Sequence, residues 1–432
     1  MTKRLPMLAV AGIIFMLSTT IVPAQSKSSP NDQWVATWAT SEEMAVTPPD
    51  RPALPPNIKM PDFRHMKGAH MPAGIPTISS NQTVRMIVHT SIPGHKLRIE
   101  LSNAFGKDAV IIGDAHVALR GTGSSIDKNS DRPLTFSGNK RVEVGPGMVI
   151  VSDPVNLALK PMSDLAVSLY IAKAGGIPTN HTPGLHTTYV STGDTTASAS
   201  MPAPTTNTSY VWLRSVDVVA PAKSFAISCL GDSITDGFRT TVDGNMAWPT
   251  LLAKRFSERR QGPRIAVLNA GISGNEVLRD GAGVSTLARF DRDVESEPGV
   301  RWVVLLEAIN DINIHGQITG PGALTADDLI AGYKQLIARA HMDHLKIMGA
   351  TLTPDEGVWL AGPTGEATRQ KVNQWIRSSG AFDAIIDFDA LVRDPTHPKR
   401  MRPEFDSGDH IHPNDAGNAA MANAFHLNAF TN

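Results

Sequence analysis

One cysteine, Cys229, stands in 432 residues. A lone thiol forbids an intrachain disulfide and leaves no cysteine set for structural zinc. An excess of either charge is also missing. Lys and Arg number 40 against 41 Asp and Glu, a formal net charge of −1, so composition points to no nucleic-acid partner. Hydrophobic residues are 41% and charged ones 19%, which excludes wholesale disorder. After Val22 no apolar run is long enough to span a membrane, and no internal repeat is evident.

The one long apolar run is at the start. Lys3 and Arg4 precede Leu5 to Val22, and Val22-Pro23-Ala24 offers small residues for cleavage before Gln25. This pattern reads as a secretory signal peptide over 1–24. Pro6, Gly12 and Ser18-Thr19-Thr20 weaken the rival reading of an uncleaved anchor. The expectation is a secreted or periplasmic protein without stable membrane insertion. Cys229 lies in an apolar strand and reads as a buried structural thiol.

The rest divides in two: a β-rich domain over 25–215 and an α/β domain over 222–432. Residues 48–76, rich in Pro and Met, read as a surface loop or flap. His65 and His70 lie there without an acid or cysteine to complete a metal set. Short alternating strands follow at 83–90, 96–101, 110–112, 116–119, 141–144, 148–151 and 165–171. Leu97, Ile99 and Leu101 share one face. Such punctuated strands predict a β sandwich or jelly roll. The Ser/Thr/Ala/Pro-rich stretch near 192–208 reads as a loop. From Ser224 strands (224–230, 264–268, 301–306, 345–350, 384–388) alternate with helices (246–260, 325–341, 365–378, 414–428). Trp248, Leu251, Leu252 and Phe256 form one helical stripe. Alternation predicts a parallel sheet covered by helices on both faces.

Four segments carry chemistry. The run Cys229-Leu-Gly231-Asp232-Ser233-Ile-Thr-Asp236-Gly237 sets a serine at the end of a buried strand, where α/β sheets bind ligands. Taken alone it is an ordinary hydroxyl. A serine becomes a nucleophile when an imidazole takes its proton and a carboxylate orients that imidazole. Asp409 and His412, three apart before Pro413, can supply both from one turn; a capping Asp and a surface His are the plainer reading. His410 competes, but the spacing to Asp409 and the neighbouring Pro413 favour His412. A tetrahedral intermediate also needs donors at its negative oxygen. The N–H of Ser233, the N–H of Gly274 in Ile-Ser-Gly-Asn and the side-chain amide of Asn310 would form such a set.

In order, Gly231-Asp232-Ser233, Gly274, Asn310-Asp311 and Asp409-x-x-His412 resemble the four blocks of the SGNH (GDSL-type) hydrolases. The resemblance covers 222–432. It implies a flavodoxin-like three-layer parallel sheet. It also implies a Ser233 nucleophile, a His412 base and acid, an Asp409 orienting group, and oxyanion donors on Ser233, Gly274 and Asn310. No metal or organic cofactor is implied. One position departs: the third block usually reads Gly-x-Asn-Asp, and here Ala308 stands first. A methyl there is expected to narrow the pocket or shift the turn. Asp232 and Asp311 read as structural partners. Arg239 and Trp248 are candidates for a pocket wall. His341 and His344 read as solvated residues.

The layout resembles secreted family members with an N-terminal β domain, of arylesterase or deacetylase type. The expected substrate is a small-molecule or carbohydrate ester with a short acyl group, acetyl or aryl esters foremost. A lipase or lysophospholipase is the alternative within the enzyme class. A non-catalytic carbohydrate-binding surface protein is the alternative outside it. The oligomeric state leaves no mark in the sequence.

Overall fold

A computed structural model describes residues 33–43, 76–315, 323–358, 360 and 363–430. The signal-peptide reading over 1–24, and His65 and His70, fall outside them. Seven long strands build the first half: β1 (Gln33–Ala39), β2 (Gln82–His89), β3 (Gly94–Ser102), β4 (Val110–Leu119), β5 (Asp164–Lys173), β6 (Thr188–Thr192) and β7 (Leu213–Ala220). One antiparallel sheet is ordered β1-β7-β3, the other β6-β2-β5-β4, with shorter strands on their edges. Leu97, Ile99 and Leu101 meet Val84, Met86, Val167 and Leu169 in one core. This is a sandwich, as the alternation predicts.

Two details differ from the sequence reading. The runs 110–112 and 116–119 are one strand, β4, whose register against β5 shifts between Ile112 and Asp114. The stretch near 192–208 contains a short strand, Thr205–Asn207, and is pinned by the fully buried Arg85. Its guanidinium donates to Ser168 Oγ (2.8 Å) and to the carbonyls of Thr196 (2.9 Å) and Ser198 (3.0 Å). Burial lowers its pKa to about 10, so it remains a cation held by carbonyl dipoles.

The second half is a parallel sheet of β8 (Phe225–Gly231), β9 (Ile265–Gly271), β10 (Val300–Leu306), β11 (Lys346–Ala350) and β12 (Ala384–Ile386), ordered β9-β8-β10-β11-β12. That is a doubly wound order, with its switch point between β8 and β10. The helices are α1 (Ser233–Asp236), α2 (Trp248–Ser257), α3 (Thr286–Phe290), α4 (Ile309–His315), α5 (Ala326–Met342), α6 (Pro363–Ser378), α7 (Phe388–Val392) and α8 (Asp415–Ala424). The expected strand 384–388 stops at Ile386. Asp387 ends it by capping α7, its side chain accepting from the Ala390 N–H at 3.0 Å. Among the described residues no helix is long and apolar enough to cross a membrane.

The two halves share a core. Phe225, Ile227 and Cys229 of β8 face the helix side. Ala226 of β8, with Ala266 and Leu268 of β9, packs with Val35 and Ala36 of β1. Over β8 and β9, one face is therefore covered by a strand of the sandwich where a helix was expected. Alanines at 226 and 266 allow that close approach. The Ala36 N–H donates to Pro298 O (2.9 Å), and Ser91 Oγ donates to Val267 O (2.9 Å). Burial pushes the Cys229 thiol well above its ordinary pKa, in keeping with a structural role.

Candidate active site

The turn from β8 into α1 is tight. A Cβ on Gly231 would collide with the Thr235 side chain and the Leu306 carbonyl. Asp232 caps α1: its Oδ1 accepts the Ile234 N–H at 2.9 Å, the structural role expected of it. Burial pushes the Asp232 carboxyl up to about 7. Ser233 is the first residue of α1, so its N–H has no acceptor within the helix.

Ser233 Oγ lies 2.7 Å from His412 Nε2. On the far side of the ring, His412 Nδ1 lies 2.8 Å from Asp409 Oδ2. Asp409 Oδ1 accepts the backbone N–H of His412 (2.9 Å) and of Ile411 (3.2 Å). One turn thus fixes both the carboxylate and the imidazole. Burial pushes the Asp409 carboxyl up, but the hydrogen bonds and charge of His412 outweigh this and hold it well below the usual range. His410, the competitor, turns away and is half-exposed, with Nδ1 2.7 Å from Asp406 Oδ2.

Gly274 and Asn310 come from the ends of β9 and β10. Gly274 has φ +80°, and a Cβ there would lie 2.9 Å from Ala282 Cβ, so glycine is required. Asn310 Nδ2 donates to Asn275 O at 2.9 Å. A primary amide has two hydrogens, so one is left for another acceptor. Asp311 Oδ2 and Oδ1 accept the N–H groups of Val277 (2.7 Å) and Leu278 (3.2 Å). It holds the chain after the Gly274 turn, as its structural reading requires. Ser233, Gly274 and Asn310 thus cluster at the carboxyl edge of the sheet, beside the switch point.

Residues 229–420 match the family model of the GDSL-like lipase/acylhydrolases. Those residues form a GDSL-type (SGNH) hydrolase domain. Its class is carboxylic ester hydrolase. No curated protein sequence matches the chain. Among solved structures, the aryl esterase of M. smegmatis is 17% identical, covers 46% of this chain and 95% of its own, and gives a TM-score of 0.37. An acetylxylan esterase from Geobacillus stearothermophilus is 23% identical over 48% of this chain and 95% of its own, TM-score 0.37. A family two carbohydrate esterase from Cellvibrio japonicus is 12% identical over 80% of this chain and 88% of its own, TM-score 0.32. Likeness at these levels says nothing of this hydrolase's substrate.

Two arginines complete the hydrolase site, and neither role was visible in the sequence. Arg239 Nε donates to Asp409 Oδ2 at 2.9 Å, the oxygen that also faces His412 Nδ1. Its nearness to Ser233 along the chain was the one available signal. Fully buried Arg289 donates from Nε to Asn275 Oδ1 (2.9 Å), from Nη1 to Ala270 O (2.8 Å) and Asp293 Oδ2 (2.7 Å), and from Nη2 to Gly231 O (2.9 Å). It ties the ends of β8 and β9 to the Gly274 turn. Glu307 lies 3.6 Å from it. Burial, with Asp232 nearby, holds the Glu307 carboxyl well above the carboxylate range. Trp248 does not line the site. It is buried between Phe425 (5.5 Å between ring centroids) and Phe388 (5.7 Å). His341 Nε2 lies 3.0 Å from Asp383 Oδ2.

Ala308, where the family pattern has glycine, is fully buried with φ +110°. An L-residue there costs on the order of 1–3 kcal/mol. Ala308→Gly would relieve that strain. It would also lose about 0.5–1 kcal/mol to the greater freedom of glycine in the unfolded chain and roughly 0.8 kcal/mol of buried methyl. The expected outcome in urea titration is a net change between a loss of about 0.8 and a gain of about 1.7 kcal/mol. Without strain the same change would cost about 1.3–1.8 kcal/mol; a loss of that size would show that the position is unstrained.

Proposed function

We propose that the hydrolase is an exported serine esterase that cleaves short-acyl carboxylic esters through an acyl-enzyme. The observation that carries this reading is Ser233 Oγ at 2.7 Å from His412 Nε2, with Asp409 on the other ring nitrogen. As Oγ attacks the ester carbon, its proton passes to Nε2. Asp409, held as a carboxylate, stabilises the imidazolium. That proton then goes to the leaving alcohol. In the second half His412 takes a proton from water, the hydroxide attacks the acyl carbon, and the proton returns to Ser233. The negative oxygen of each intermediate is received by the N–H of Ser233, the N–H of Gly274 and the second hydrogen of the Asn310 amide.

Support for a short acyl group comes from the neighbours of the triad. Phe238 packs its ring edge against His412, centroids 4.8 Å apart. Arg239 and Asn310, also beside it, are polar, and a buried methylene is worth about 0.8 kcal/mol only against an apolar wall. A sandwich beside such a site suits a glycan carrying acetyl groups. Export rests on Lys3, Arg4, the apolar run and Ala24.

An organophosphonate probe tests the nucleophile, and a rate series from acetyl to dodecanoyl esters tests the acyl group. The label is expected on Ser233, with acetyl esters cleaved fastest and the mature protein beginning at Gln25. An unlabelled Ser233 would leave a binding protein on a hydrolase fold. A strong dodecanoyl preference would make the protein a lipase or lysophospholipase.

A further inference from the structure

Gly274 is the middle of three residues whose two flanks are both tied to the first half of the chain. On one flank, Ser273 Oγ donates to Asp236 Oδ2 at 2.8 Å. Asp236 Oδ1 lies 3.1 Å from Nε2 of His181, which belongs to a short strand, Asn180–His181, paired with Tyr210–Val211. The other ring nitrogen, Nδ1, lies 2.8 Å from Ser41 O. On the other flank, Asn275 Oδ1 accepts from Arg289 Nε, and Arg289 Nη1 donates to Ser41 Oγ at 3.1 Å. Ser41 and His181 thus hold the turn from both sides.

The chemistry of His181 suits a rigid strut. It is buried, which opposes its charge. Asp236 at Nε2 and Glu43, with Oε1 3.6 Å from Nδ1, outweigh that burial and raise its pKa to about 9. As a cation it donates from both nitrogens, one to Asp236 and one to the Ser41 carbonyl. Charge-assisted hydrogen bonds between buried partners are the stronger kind. Asp236 itself lies in α1, three residues after Ser233, so the same carboxylate links the nucleophile's helix to the oxyanion turn. Asn269 Nδ2 adds a bond to the Asp236 carbonyl at 3.0 Å.

We infer that the β sandwich sets the oxyanion turn of this hydrolase, with His181 as a positioning residue acting through Asp236 and Ser273. The sandwich is then part of the catalytic apparatus as well as a neighbour of it. This rests on the serine-esterase reading above. A misplacement of a donor by about 1 Å can cost on the order of a hundredfold in rate; removing the strut should cost part of that.

The test compares His181→Ala, His181→Gln, Ser273→Ala and the His181→Ala/Ser273→Ala double variant, in the full-length protein. Readouts are kcat and KM for p-nitrophenyl acetate and the affinity of a phenylboronic acid, which forms a tetrahedral adduct on serine. In His181→Ala, kcat is expected to fall roughly 10–100-fold with KM nearly unchanged, and boronate affinity to fall by a similar factor. His181→Gln, which keeps a donor toward Asp236, should recover most of the loss. Because both residues act on one turn, the double variant should be no worse than the worse single. A fold defect alone would lower the active fraction without weakening boronate binding by the remainder. Unchanged kcat and boronate affinity in Ser273→Ala, which lies outside the sandwich, would overturn the inference even if His181→Ala failed to fold. So would losses that multiply in the double variant. Loss of activity in Ser233→Ala beside unchanged His181 variants would sink this inference alone; full activity in Ser233→Ala would sink the serine-esterase reading beneath it.

Discussion

Ser233→Ala is expected to lower kcat on acetyl esters by about a millionfold, with the protein still folded. Loss of the serine in a triad removes the bond-forming atom, and the remaining members cannot substitute for it. A residual rate of roughly a thousandfold over water is expected from the oxyanion donors and binding alone. The fold should survive for local reasons. Asp232, and not Ser233, caps α1, so the first turn keeps its satisfied N–H. Alanine has the highest helix propensity. The Ser233 hydroxyl faces His412 at 2.7 Å; its loss leaves His412 Nε2 turned toward the site, where water can reach it. Circular dichroism and a thermal melt matching the parent, beside abolished p-nitrophenyl acetate turnover, are the expected pair of results. Retained turnover would show that Ser233 is not the nucleophile.

That these catalytic candidates can be proposed from sequence has a physical reason. Each stands where local sequence already fixes local geometry. Gly231 is forced by the close pass of α1 over β10, and Ser233 follows the cap residue. Asp409 and His412 lie on one turn, so four residues suffice to set their mutual distance. The supports are a different matter. Arg289 reaches Ser41 and Gly231 across long stretches of chain, and nothing around residue 289 separates it from a surface arginine on a helix. His181 carries no local signal for the same reason, and nothing in the run around Asp236 shows that its carboxylate points to His181 and Ser273. In the fold, long periodic helices such as α5 were legible, whereas α1, α3, α4 and α7 are too short for a 3.6-residue period to show. The alanines at 226 and 266 read as strand residues; that they meet a second sheet depends on β1 (Gln33–Ala39), far upstream.

Asp409→Asn is expected to cost about 10⁴-fold in kcat, the usual scale for losing the orienting carboxylate of a triad, and here it should cost stability too. Four donors converge on Asp409. Oδ1 accepts the N–H groups of Ile411 and His412, and Oδ2 accepts from Arg239 Nε and His412 Nδ1. An asparagine has one acceptor end and one donor end. Whichever way it turns, an NH₂ faces two N–H groups. With the NH₂ toward His412, the ring must take the other tautomer, placing its proton on Nε2 against Ser233 Oγ, and it can no longer accept the serine proton. With the NH₂ toward the backbone, the Ile411 and His412 amides lose their acceptor and the turn that delivers the ring loosens. Either way the Arg239 guanidinium, only 5% exposed, loses the Asp409 carboxylate. Removing one partner of a buried ion pair costs up to about 3–5 kcal/mol. The pH dependence separates the two losses. Asp409 has its pKa depressed in the folded protein, so its contribution to stability is present above the unfolded carboxylate pKa and disappears as pH falls through the folded value. The stability gap between parent and variant should therefore be full at pH 7 and narrow in strong acid. A variant with parental stability at pH 7 and near-parental kcat would remove Asp409 from the triad and Arg239 from its support.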